Sequence, residues 1–492
     1  MDPAATADDG NATPSDNLPP LAEGAQRYSL KRQEELRVEI PFGKSSTCQV
    51  ILQQGSCELW GCELAIAKKY EWEGGGLQLA LFTWHGCVLD VEGTSIDIAY
   101  TSDETDFHVA LVNTHAQLEA LRDDALQQKG VDGPRVMLVG PPESGKSSFV
   151  RTLVAYACKV GRTPLWVDLD SHENSISIPG TISVTPMVST AIGVESWATT
   201  GIPPNTAHPM VMWQGASAKT NWWNADLLEV QLDRLGSTVQ ARFKMDELAR
   251  ASGLIVNTSG SMIQDNKSDD SSKSGFQLLL HAAQALEISV ILVLGHDRLY
   301  SMLRTHYQNE PETARMAPPK VLKLPRSGGA VSRSDEFLRQ TKSRSIKKYF
   351  YGDTIEAPDG TEGETKKVPQ LTPFLLQINV SEVQIYKLSS MALSSSLLPV
   401  AQQQTTDAIQ VEQLQEDSME SIQHAVLAVC HPSAVQAFSE SGRGRDLWVP
   451  GVAGFCVVER FVKETDTLHL LSPCAGALPS KTLLLGDVTW ME

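Results

Sequence analysis

Residues 140–148 read GPPESGKSS, a glycine-bounded run that closes on a lysine and two hydroxyls and fits the pattern GxxxxGK[ST]. The chemistry that needs this spacing is the holding of a polyphosphate. Consecutive backbone N–H groups turn inward around phosphate oxygens, and glycines at Gly140 and Gly145 permit the close approach. Lys146 reaches the β- and γ-phosphates as a point charge, and the Ser147 hydroxyl is of the type that ligates Mg²⁺. A helix starting here aims its positive dipole end at the anion. The expected ligand is therefore ATP with Mg²⁺. The plainer alternative is a Gly/Pro turn that matches by chance, and the flanking elements decide between the two.

Such a site also needs a carboxylate at a strand end, to hold the metal through water or to act as a base. WVDLD supplies Asp168 and Asp170 where a strand finishes, the end at which ligands gather in open sheets. Asp170 is the first candidate, against the ordinary reading of a turn aspartate. Asn257 and Thr258 end another expected strand and read more simply as turn residues than as nucleotide contacts.

The elements around the motif have the required order. Val136–Val139 is a short apolar run before the loop, and Phe149, Leu153 and Tyr156 follow it at helical spacing. Leu165–Val167, Leu254–Val256 and Val290–Leu294 are further continuous apolar runs, and Ala225–Ala251 and Phe276–Glu287 are expected helices. Strands apolar on both faces and alternating with helices imply a parallel, doubly wound sheet. Residues 25–115 follow another grammar. Leu36, Val38 and Ile40 alternate, as do Leu77, Leu79 and Leu81, which predicts a small β-sandwich followed by a short helix at about Ala116–Gln128. From Pro373, alternation returns in Leu375–Val380, Val383–Lys387, Val452–Val458, Leu468–Leu471 and Thr482–Trp490, predicting a C-terminal β-rich domain. The expected division is a disordered tail at 1–24, an N-terminal β-domain at 25–115, a P-loop domain at 116–372 and a C-terminal domain at 373–492. Polar loops are expected at 264–275 and 352–369, and a Gln-rich, acidic loop at 399–418.

Composition agrees with a folded, multi-domain chain of 492 residues, 41% hydrophobic and 20% charged. No apolar run approaches the ~18 residues of a membrane span, so no membrane partner is expected. The first residues carry no basic-then-apolar leader pattern. The eight cysteines lack CxxC spacing, which argues against zinc and for reduced thiols in cytosol or nucleus. A net charge of −18 excludes a surface that grips nucleic acid throughout. A local contact stays open at residues 320–348, with nine Lys/Arg against Asp335 and Glu336, although a solvated helix face is the simpler reading.

An ordered set of motifs now carries a resemblance. FTWHGC (Phe82–Cys87), GPPESGKSS, WVDLD followed by SISIPGTIS (Ser175–Ser183), LPRSGGAVSRS (Leu324–Ser334) with YFYG (Tyr349–Gly352), and VAGFCVV (Val452–Val458) occur in sequence from about residue 28 to the end. Together they resemble the polynucleotide 5′-hydroxyl-kinase family, and within it the kinase-like Clp subunits of pre-mRNA cleavage factor IA. The resemblance implies a central P-loop, kinase-like α/β domain flanked by a small N-terminal β-sandwich and a small C-terminal β-rich domain. It implies a nuclear subunit of the mRNA cleavage and polyadenylation machinery, bound to the scaffold subunit that engages the RNA polymerase II tail and to other subunits of that complex. It implies that Glu35 of EELRVEI contacts the nucleoside, that Gln78 stands where several members have a lysine, and that Gly140, Glu143, Ser144, Gly145, Lys146, Ser147 and Ser148 hold the phosphates, with Ser147 and Asp170 toward Mg²⁺. Without the resemblance, Glu35 reads as a solvent-facing strand residue. Trp84 and His85 read as core residues rather than ligands.

The acceptor side departs from the family pattern. Active members resemble D-x-G-Q after the second strand, where this chain has Asp170-Ser171-His172-Glu173. Their basic lid resembles R-S-x-x-x-R-R; Arg333 and Arg339 match its ends, and Leu338 replaces the middle arginine. A lost lid cation is worth a factor of about 10³ or more in phosphoryl transfer. The main expectation is therefore an assembly subunit that keeps ATP as a structural ligand, with little or no kinase activity. The rival is an active RNA or DNA 5′-hydroxyl kinase using Asp170, Lys146 and Arg333. A generic P-loop ATPase or GTPase switch is disfavoured, because no clear hydrolytic glutamate is placed after an apolar Walker-B strand.

Overall fold

The computed structural model describes residues 18–43, 46–74, 76–94, 96, 98–128, 130–188, 192–198, 208–216, 224–263, 274–308, 317–358, 365–388 and 409–491. Two compact units divide the chain. One comprises the residues up to Leu59 together with Glu63–Asp103, and the other Trp60–Cys62 with everything from Glu104. Of the tail expected at 1–24, residues 1–17 lie outside the described residues, as do 264–273 and 399–408 of the expected polar loops.

The N-terminal unit is a β-sandwich. One sheet runs Gln26–Leu30, Cys87–Gly93, Thr47–Gly55, Lys69–Glu73, and the other contains Glu58–Leu59, Leu77–Phe82, Glu35–Ile40 and Ile98–Ser102. Strict alternation explains the core: Leu36, Val38 and Ile40 face inward with Leu79 and Leu81, as do Val50, Leu52, Leu89 and Val91. Glu35 is not solvent-facing. It is 2% exposed, and its carboxylate accepts from Arg37 Nε at 2.5 Å. Gln78 Nε2 donates to Glu39 at 2.7 Å. Trp84 and His85 depart from the core expectation. They occupy the turn between Leu77–Phe82 and Cys87–Gly93, where Trp84 is half-buried, edge-on to Phe82, and His85 exposed, because the chain reverses there outside the strand alternation that fills the core.

The larger unit begins with a helix, Asp106–Gln127, ten residues earlier than its expected start. Its face is anchored by Phe107, Leu111 and Leu118, with Phe107 edge-on to Phe149 of the P-loop helix. The seven-stranded sheet behind it runs Met210–Trp213, Thr181–Pro186, Leu165–Asp168, Leu254–Asn257, Arg135–Val139, Val290–Leu294, Lys320–Leu324. The last five strands are parallel, and the first two add to one edge antiparallel. Parallel strands require crossovers, and helices Lys146–Lys159, Ala225–Met245 and Gly275–Ala285 cover the sheet. The apolar faces of the last two close a core with Met137, Val139, Val167, Val256 and Ile291 through Leu232, Leu235 and Leu279.

The C-terminal sheet runs Phe374–Asn379, Thr467–Ser472, Val452–Val462, Ala425–Cys430, Thr482–Thr489, Gln384–Leu388, Val411–Gln413, and only the pairing of Gln384–Leu388 with Thr482–Thr489 is parallel. It shares a hydrophobic core with the P-loop domain through Trp213, Phe350, Trp448, Phe455 and Trp490. Buried Gln231 locks this seam, since its Nε2 donates to Trp448 O at 2.7 Å and to Trp213 O at 3.0 Å. The expected polar loop at 352–369 is instead a hairpin of Thr354–Pro358 with Thr365–Pro369. Backbone pairing built it from a segment with little apolar content; positions 359–364 lie outside the described residues.

Candidate functional site: a phosphate cradle at the switch point of the sheet

The P-loop strand Arg135–Val139 is fully buried from Val136 on and delivers the chain to Gly140 at the end of the sheet. A Cβ on Gly140 would sit 2.9 Å from Ser144 Oγ and 3.0 Å from Leu294 O, so only glycine lets the loop fold back there. Glu143 and Gly145 both take left-handed backbone, at φ 57° and 88°. Helix Lys146–Lys159 starts directly after Gly145 without a side-chain cap, leaving its first N–H groups turned toward the loop.

Lys146 is 6% exposed and donates to Pro141 O at 2.8 Å. Among the described residues no carboxylate lies within ion-pairing distance of it. Burial pushes its pKa down to about 8, with Asp170 and Glu173 pulling it partly back. Ser144 Oγ is buried with no hydrogen-bond partner among the described residues. A buried ammonium without a counter-ion, an unpaired hydroxyl and a glycine-lined turn at a helix N-terminus together fit a polyphosphate.

Sheet order decides what meets Ser147. The next strand in sequence, Leu165–Asp168, is not beside the P-loop strand, because Leu254–Asn257 lies between them and pairs in parallel with both. Asn257 therefore bridges the two, its Nδ2 donating to Asp168 Oδ1 at 3.0 Å and reaching Ser147 Oγ at 3.3 Å. Asp168 is wholly buried and also accepts from the N–H groups of Asp170 (3.0 Å) and Ser175 (2.8 Å). Burial, with Asp170 close by, raises its pKa to about 7 against the opposing pull of these hydrogen bonds. Asp170 is half-buried one step further on, where its carboxylate accepts from His172 N–H at 3.1 Å. Ser147 Oγ and Asp168, both reached by Asn257 Nδ2, are hard oxygen donors of the kind Mg²⁺ takes. Thr258 turns away, donating to Leu138 O at 2.6 Å.

The segment after Lys320–Leu324 returns to the P-loop. Arg326 donates to Glu143 O at 3.0 Å, Arg333 N–H donates to Glu143 Oε1 at 2.9 Å, and the Arg333 guanidinium grips both oxygens of Glu173 at 2.8 and 3.0 Å. Ser334 then caps helix Asp335–Tyr351. Arg339 is exposed and paired with Glu336, so it is not brought to the site, and Leu338 is buried. Within the basic stretch 320–348, Lys323 and Lys348 also have carboxylate partners, Asp297 and Asp353. Glu35 and Gln78 belong to the N-terminal unit.

Sequence alone reads Asn257 more simply as a turn residue, and only the order of the strands reveals its place. Two further residues, Arg326 and Arg151, carry no motif that singles them out. Arg151 projects from the P-loop helix to Trp197 O and Ser175 Oγ, both at 3.4 Å, and lies over the Trp60 ring at 5.5 Å. Its place on the same helix as Lys146 was the available signal.

Family models match all three parts of the chain: an N-terminal beta-sandwich domain of polyadenylation factor over 29–125, the mRNA cleavage and polyadenylation factor CLP1 P-loop over 140–352, and pre-mRNA cleavage complex II protein Clp1 over 371–492. A zebrafish (Danio rerio) protein named polyribonucleotide 5′-hydroxyl-kinase Clp1 is 33% identical, covering 95% of this chain and 94% of its own. The chain belongs to the Clp1 family. A Clp1-family relative from Botryotinia fuckeliana, named mRNA cleavage and polyadenylation factor clp1, is 31% identical over 94% of this chain and 93% of its own. The Clp1 fold is also shared with a solved structure described as the extended interface between Pcf11p and Clp1p and the basis for ATP loss in a glycine-to-arginine mutant. That match has a TM-score of 0.73 at 22% identity and covers 95% and 99% of the two chains.

Proposed function

We propose that this Clp1-family chain is a nuclear, ATP-Mg²⁺-binding subunit of the mRNA cleavage and polyadenylation machinery that retains its nucleotide, with little or no kinase activity. The observation that carries the reading is Lys146, a buried cation in a glycine-lined cradle with no carboxylate paired to it among the described residues. On this reading Gly140, Glu143, Ser144, Gly145, Lys146, Ser147 and Ser148 hold the phosphates. Ser147, with Asp168 or Asp170, holds Mg²⁺, directly or through water. Bound metal neutralises phosphate charge; the chain's own residues orient the nucleotide and keep water from Lys146. Retention is supported by the acceptor side, where Leu338 is buried and Arg333 is already matched by Glu173. Binding of a Pcf11-type scaffold subunit is part of the proposal, since solved structures of Clp1p complexes carry that partner.

The test is incubation of purified protein with labelled ATP-Mg²⁺ and a 5′-hydroxyl oligonucleotide. The expected result is ATP recovered unhydrolysed with no label on the oligonucleotide, and loss of bound ATP in Lys146→Ala. Multiple-turnover transfer overturns retention and favours the second reading, an active 5′-hydroxyl kinase with Asp170 as base and Lys146 and Arg333 on the phosphoryl group. That several relatives are named polyribonucleotide 5′-hydroxyl-kinase favours that reading. Co-purification with the scaffold subunit tests the assembly role, and failure to associate argues against it.

A further inference from the structure

Among the described residues, segment 325–334 is fastened to its surroundings at three points by two arginines. Two fasteners end on Glu143, through its carbonyl and its carboxylate, and these hold the segment to the P-loop itself. The third ends on Glu173, in the loop after Leu165–Asp168, and is the only one in which a full charge meets a full charge. Both side chains are about three-quarters covered, at 25% and 23% exposure. Ala330 lies just above the loop, 3.8 Å from where a Gly145 Cβ would stand.

A guanidinium offers a planar fork of N–H donors that suits a carboxylate and a phosphate equally well. Glu173 therefore matches the Arg333 charge from within the protein. While it does so, segment 325–334 is held by the protein and not by the nucleotide. Glutamine at this position would keep the length and one acceptor oxygen but lose the charge.

We propose that Glu173 is a positioning residue for nucleotide exchange: through Arg333 it latches segment 325–334 over the P-loop, and the latch sets how slowly bound nucleotide leaves. The inference rests on the proposed retention of ATP and goes further by naming the residue pair that governs it. The latch acts on release. Opening it accelerates dissociation of ATP and ADP alike, because the fastening is intramolecular and does not read the γ-phosphate.

The experiment is displacement of a fluorescent ATP analogue from the full chain by excess unlabelled ATP, followed by stopped flow, in wild type, Glu173→Gln, Arg333→Ala and the double variant. Breaking one partly covered ion pair is expected to raise the dissociation rate roughly tenfold in each single variant, with association changed much less. The double variant is expected to match the singles, since both remove the same contact. Melting temperature checks folding, and if Glu173→Gln does not fold, Arg333→Ala reads the same latch from the other side. If wild type retains nucleotide but the variants release it equally slowly, the latch is refuted while the retention reading stands. If wild type takes up no nucleotide, the retention reading fails and the latch falls with it.

Discussion

Lys146 gives the sharpest expectation, because burial weakens its hold on the proton before nucleotide binds and a bound triphosphate restores it. Its pKa is held down to about 8 chiefly by burial. A triphosphate against the ammonium favours the charged form and returns the value toward or above 10.5. Binding therefore draws in a proton wherever the free protein has lost one. At pH 7 about nine-tenths of free Lys146 is protonated, at pH 8 about half, and at pH 9 about one-tenth. Affinity for ATP-Mg²⁺ is expected to be nearly level below pH 7, about twofold weaker at pH 8 and about tenfold weaker at pH 9, some 1.4 kcal/mol. Titration calorimetry in buffers of different ionisation enthalpy reads the proton directly, with uptake of about half a proton at pH 8 and nearly one at pH 9. Lys146→Met should bind weakly and show no uptake above pH 8. Level affinity from pH 7 to 9 without proton uptake in wild type would refute the reasoning, because Lys146 would then already be ionised and matched within the protein.

Three other outcomes follow from the same geometry. Asp168 has its pKa raised to about 7, so its neutral form is favoured by folding; its contribution to stability is full below the ordinary carboxylate range and is lost as pH rises through about 7. Denaturant midpoints of nucleotide-free protein should fall between pH 5 and 8, and an unchanged slope in Asp168→Asn would contradict this assignment. Gly145 sits at φ 88°, and Gly145→Val should cost about 1–3 kcal/mol of strain and abolish nucleotide binding; a variant that still binds ATP normally would show that the loop tolerates another path. Gln231→Leu leaves the carbonyls of Trp213 and Trp448 without their buried donor, and should lower stability by roughly 2–4 kcal/mol with nucleotide affinity retained; a loss under 0.5 kcal/mol, about the size of an ordinary surface change, would show that the seam does not depend on it.

The primary structure alone determined the phosphate loop, since its glycines, lysine and serine are contiguous and backbone geometry over nine residues needs no distant partner. It also determined the three-part architecture, because apolar periods of two and of three to four residues are local signals. Helix starts and hairpins were less legible. Asp106–Gln127 starts among polar residues, and Thr354–Pro358 pairs with Thr365–Pro369 through main-chain hydrogen bonds that side-chain pattern does not report. What the tertiary structure decided is the neighbourhood of the cradle. Asn257 stands beside Ser147 only because Leu254–Asn257 is inserted between two strands that precede it in the chain, and Glu173 meets Arg333 at a sequence separation of 160. Contacts of that kind depend on strand order and on where a loop returns. Both are properties of the packed sheet, and no local run of residues encodes them.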